Sequence, residues 1–134
     1  MNIEGIRQTL EEFKDNATGI QGVVLVYKDG ELITNPPIGN WDQKNVGVIA
    51  GVMAQLAQHI DKQLKWKKTE EIYVETEGGY IIRLACPLDT FLLVKASKDT
   101  NRGTLKAQIS VILEKLQSEI QAKSPTKDKL GPGR

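Results

Sequence analysis

Nucleophilic catalysis needs a serine or cysteine beside a histidine base, with an acid to orient that base. The chain has one histidine, His59, and one cysteine, Cys86. His59 falls on the polar side of a helical pattern and reads as a solvated residue; Cys86 ends a strand-like run before Pro87 and reads as a small apolar one. One Cys and one His give no zinc spacing. No GxxxxGK[ST] phosphate loop is present, so any GTP linked to the chain is expected to be held by a partner. The glycines of "GIQG", "EGG" and "GPGR" lack the strand-to-helix context of a nucleotide fingerprint. Glu75 and Glu77 share one face of an alternating segment and read as a solvated face. Arg83, inside a strand, and Arg102, at a helix start, are poorly placed to stabilise phosphoryl transfer as fingers. The expectation is no catalytic residue, no cofactor and no metal.

Surface is what the chain offers instead. "VGVIAGVMAQLA" (46–57) has helical character yet holds Gly47 and Gly51, and each interior glycine costs a helix roughly 1 kcal/mol relative to alanine. On a wheel of 100° per residue, Val46, Ile49, Val52, Met53, Leu56, Ile60 and Leu64 form a large apolar arc, expected to cover a sheet. Gly47, Ala50, Gly51, Ala54 and Ala57 form a small-residue arc beside it. Small side chains admit another backbone, either a neighbouring element of the same chain or a second copy, since a twofold interface uses one patch twice. The homodimer reading assigns this small arc to the interface. It adds Ile72, Tyr73, Val74 and Glu75 of the next strand, expected at a sheet edge that must be paired or protected. Glu75 and Glu77 could instead be the charges that protect it. Gln55, Gln58, Lys62 and Lys65 are the candidate contacts for a different partner.

The elements that hold this helix follow from periodicity. Ile3, Ile6, Leu10 and Phe13 predict a first amphipathic helix ending near Asn16 to Gly19. Val23–Tyr27 predicts a strand, Asp29-Gly30 a hairpin turn, and Glu31–Thr34 its return, stopped by Pro36 and Pro37. Asp42 is the expected cap of the long helix, which runs to about Lys65. Strands are predicted over Glu71–Glu77, Tyr80–Cys86 and Thr90–Ala96. Asp99 or Thr100 then caps a last helix, with Leu105, Ile109, Ile112, Leu113, Leu116 and Ile120 as its stripe. Helix, two strands, helix, three strands, helix is an α+β pattern, with an antiparallel sheet and enough helices for both its faces.

A chain of 134 residues fits one domain with its own core. Its 18 basic and 17 acidic residues leave a formal charge of +1, without the basic excess of a nucleic-acid binder. Residues 1–122 are expected to form the domain and 123–134 a disordered basic tail. No apolar run approaches the roughly 18 residues that span a bilayer, and a single cysteine fits a reducing compartment. The expectation is a cytoplasmic protein that binds neither nucleic acid nor membrane.

Three stretches, in this order and spacing, carry a resemblance: "GVVLVYKDGELI", "VGVIAGVMAQLAQHI" and "TNRGTLKAQI", the last with Asn101, Gly103 and Leu105. Over about residues 3–120 the chain resembles the roadblock, or dynein light chain roadblock-type, domain family, in its compact prokaryotic form. The resemblance implies a five-stranded antiparallel sheet with the long middle helix on one face and the terminal helices on the other. It implies homodimers or heterodimers with a related roadblock subunit, their middle helices antiparallel and the following strands paired. The implied partners are dynein intermediate chains in eukaryotes and Ras-like small GTPases in bacteria and archaea. Some members accelerate the GTPase cycle, by repositioning the GTPase's own groups. Trp41 and the basic tail depart from the family's pattern. The alternative reading is a small-molecule sensor domain, which would need an apolar pocket with convergent polar groups.

Overall fold

Local signals set the element ends in the computed structural model, which describes residues 1–122. The elements are α1 (Ile3–Asn16), β1 (Ile20–Tyr27), β2 (Ile38–Gly39), α2 (Gln43–Leu64), β3 (Glu71–Glu75), β4 (Gly79–Cys86), β5 (Thr90–Ser97) and α3 (Arg102–Gln121). Each helix begins at an Asn or Asp whose side chain accepts from first-turn N–H groups that have no helical partner. Asn2 accepts from Gly5, Asp42 from Lys44, and Asn101 from both Gly103 and Thr104. Asn101, not Asp99 or Thr100, therefore caps the last helix. The expected tail lies outside the described residues.

The five strands form one sheet in the order β2-β1-β5-β4-β3, every neighbouring pair antiparallel. β1 and β5 run through its middle in long register, Val23 opposite Val94 and Leu25 opposite Leu92. Alternation sends Val23, Leu25, Leu92 and Val94 to one face, where α1 and α3 close over them with Ile6, Leu10, Leu105, Ile109, Leu116 and Ile120. Val24, Val26 and Leu93 point to the other face, under α2. The α+β architecture is the expected one.

The second strand is not where the sequence places it. Asp29-Gly30 does turn the chain: Gly30 has φ +95° and donates to the Tyr27 carbonyl at 2.9 Å. The residues that return make only an isolated bridge, Val26 to Leu32. The Thr34 hydroxyl accepts from the Leu25 N–H at 2.9 Å, so a side chain takes over a backbone donor of β1. The two prolines detour, and pairing resumes at Ile38 opposite Val23 and Gly39 opposite Gly22. Gly39 has φ +93°, and a Cβ there would lie 2.4 Å from the Gln21 carbonyl oxygen.

Candidate functional site

Which way α2 faces decides what the surface can do, and its orientation differs from the one its hydrophobicity predicts. Ala50, Ala54 and Ala57 are buried against the sheet, at 1%, 2% and 3% exposure, together with Val46 and Met53. Val52 and Leu56, assigned above to the sheet-facing arc, are 59% and 44% exposed. The helix is rolled by about a quarter turn from the expected orientation. The reason is space. Beneath α2 the sheet supplies Val24, Val26 and Leu93, with Ile81 and Phe91 at the margins, so the helix sits close and adds little bulk of its own. The three alanines, expected at an interface, belong to the subunit's core.

Gly47 and Gly51 flank the outward face, and a Cβ added to either would meet nothing within 4 Å. A backbone does come close here: a Cβ on Gly30 would lie 2.7 Å from the Gly51 nitrogen. That approach requires glycine at 30 rather than at 51. Nothing among the described residues explains why positions 47 and 51 lack side chains.

The outward face is Val48, Val52, Gln55 and His59, with Ile49 and Leu56 on its opposite flank. It is an apolar stripe at helical spacing with no cover among the described residues, Val48 being 63% exposed. The Ile49 flank leads toward the edge strand. Ile49 shares a groove of about 410 Å³ with Trp41, Ile81 and Lys95, and Ile81 sits opposite Val74 of β3. Gly22 lets the Trp41 ring close down, since a Cβ there would be 2.6 Å from the indole nitrogen. Trp41 donates to the Ile38 carbonyl at 3.0 Å, and Lys95 to that of Asn40 at 2.9 Å.

β3 is an edge strand, as expected. The Glu70 carbonyl accepts from Ala85, and the Thr76 N–H donates to Gly79, both toward β4. Antiparallel alternation then turns the backbone groups of Glu71, Tyr73 and Glu75 to the open side. The side chains of Tyr73 and Glu75 are otherwise engaged. Tyr73 packs against the α1/α3 core, and the Glu75 carboxylate is held by Lys98 and Arg102. Lys98 first, then Arg102, keeps the Glu75 carboxyl below its ordinary pKa. Ile72 and Val74 lie on the α2 face, Val74 37% exposed. Gln55, Gln58, Lys62 and Lys65 are all exposed.

Burial pushes the Cys86 thiol up to about 12, so it is protonated at neutral pH. Arg102 is paired with Glu75, and Arg83 is 3% exposed. Among the described residues, no group of three or more His, Cys, Asp and Glu side chains could hold a metal ion. None of the described helices is long and apolar enough to cross a membrane.

A sheet with one long helix on one face and the two terminal helices on the other defines the class, and sequence agrees: residues 6–96 match the Roadblock/LC7 domain, and the chain belongs to that family. Among solved structures it is similar to Myxococcus xanthus MglB, at 16% identity and TM-score 0.76, covering 92% of this chain and 94% of that one. It is also similar to a Roadblock/LC7 domain from Streptomyces avermitilis, at 13% identity and TM-score 0.71, covering 86% and 97%. A further similar structure is MglB in a tetrameric arrangement, at 15% identity and TM-score 0.72, covering 87% and 88%. No curated protein matches the sequence.

Proposed function

We propose that the chain is a non-enzymatic interaction module that pairs with a second copy of itself, or with a related roadblock subunit, and that the pair binds and regulates a Ras-like small GTPase in the cytoplasm. The observation that carries this reading is the outward face of α2. It presents Val48, Val52 and Leu56 to solvent beside two interior glycines with open space above them. Fully burying a Val or Leu side chain is worth about 1.5–3 kcal/mol, and an uncovered apolar stripe supports reading this face as an interaction site. In the pair, α2 would pack on its twin through Gly47, Val48, Gly51 and Val52, and the open edge at Glu71, Tyr73 and Glu75 would continue the sheet into the partner.

Family membership supports pairing, as does the similar MglB, whose solved structure has a tetrameric arrangement. Gln55, Gln58, Lys62 and Lys65 are the proposed contacts for the GTPase. Arg83 is buried and Arg102 is in an ion pair, so neither is offered as a finger, and the proposed effect on hydrolysis comes from repositioning the GTPase's own groups. The test is to mix the purified chain with the Ras-like small GTPases of its own cell, loaded with GDP or a non-hydrolysable GTP analogue. Nucleotide-dependent co-elution with a change in the GTP hydrolysis rate is expected. Failure to bind any of them in either state would sink the GTPase part of the reading.

A further inference from the structure

Arg83 is the one arginine of the β4 strand, and it is buried at 3% exposure. A buried charge is normally paired, because stripping its water without a partner is costly. Its guanidinium carbon lies 3.6 Å from the centroid of the Phe91 ring, which supports one face and leaves the in-plane N–H donors free. Its Nε makes no hydrogen bond, and Arg83 joins no ion pair among the described residues. Arg83 forms part of the wall of a cavity of about 190 Å³, with Lys28, Asp61, Lys68 and Asp89 around it.

The nearby charges do not satisfy it. Lys68 and Asp89 pair with each other at 2.7 Å, and Asp61 accepts through Oδ1 from both the N–H and the hydroxyl of Thr69. Burial pulls the Arg83 pKa below its ordinary value, with Asp61 acting the other way. Three cations against two anions leave one positive charge in excess. A cavity smaller than the roughly 300 Å³ of ordinary ligand pockets admits one small group. A carboxylate has the matching single charge and the planar fork geometry that guanidinium binds best.

We propose that Arg83 is the receptor for a single carboxylate entering this cavity, presented by a small carboxylic acid or by an Asp or Glu side chain of a bound protein. The site stands apart from the outward stripe of α2 and does not depend on that stripe's role.

The test follows the Arg83 Nε–H resonance of the full chain by NMR, assigned through Arg83→Lys, while sodium acetate replaces sodium chloride at constant ionic strength. A saturable downfield shift is expected, together with a rise in melting temperature that Arg83→Met does not show. Blocked glutamate (N-acetyl, C-terminal amide) separates the sources: saturation at similar concentrations assigns the site to a protein side chain, and response to acetate alone assigns it to a small acid. Either result supports the proposal. No shift beyond that in chloride, tighter binding of phosphate than of acetate, or an already shifted resonance that returns upfield in Asp61→Asn would each overturn it.

Discussion

The two faces of the sheet are closed by different means. Among the described residues, seventeen buried hydrophobic side chains form the cluster under α1 and α3, and six form the cluster under α2. The first is sealed by two helices that turn their long apolar side chains inward. The second is closed by one helix that turns three alanines inward with Val46 and Met53 and keeps Val48, Val52 and Leu56 outside. The first face is built to hold the subunit together; the second is thin, and its helix has apolar surface to offer elsewhere. On the proposed reading, stability and association separate onto opposite sides of one sheet.

Substitutions can break that separation or sharpen it. The largest effect is expected on the sealed side: Leu116→Ala removes a fully buried side chain and should cost about 2–5 kcal/mol in urea unfolding, with the oligomeric state of the remaining folded protein unchanged. Ala54→Leu comes next. At 2% exposure it has no room to grow, so overpacking should cost about 1–3 kcal/mol. A variant of unchanged stability but altered mass would mean that the alanines, not the valines, face a partner.

Gly51→Ala sharpens the contrast because its two consequences oppose each other. With nothing within 4 Å of the new Cβ, the isolated subunit should gain about 0.5–1 kcal/mol of helix stability, while association weakens in a dilution series. Smallest of all is Glu75→Gln. The folded-state pKa of Glu75 is depressed from 4.5 by Lys98 and Arg102, so its contribution is present above the unfolded value and lost as pH falls through the folded one. Urea midpoints of wild type and Glu75→Gln should differ slightly at neutral pH and converge on acidification; a gap that widens in acid would contradict the assignment.

Much of this arrangement was legible in the sequence because it is local. Asp42, the span of α2, the Asp29-Gly30 turn and the inward stripe of α3 each rest on short-range chemistry, and each is found. β2 lies beyond Glu31–Thr34 because the Thr34 hydroxyl occupies the Leu25 N–H, a side-chain contact across the turn that no spacing reveals. The roll of α2 is hidden in the sequence for a similar reason. A helical wheel ranks arcs by hydrophobicity, whereas the filling of the space beneath α2 depends on Val24, Val26 and Leu93, far away in the chain. The Arg83 cavity had no sequence signal, since a strand arginine gives no sign of whether its partners arrive.

The outward face of α2 is the proposed interface, and solution mass tests it most directly. Light scattering after gel filtration, over a range of concentrations, should give wild type as a dimer or higher assembly and Val52→Asp as a monomer. Circular dichroism should find that monomer folded, because Val52 is 59% exposed in the subunit and surface changes usually stay within about 0.5 kcal/mol. A wild type that remains monomeric at every concentration, or an assembly indifferent to Val52→Asp, would contradict the claim that this face is an interface between copies.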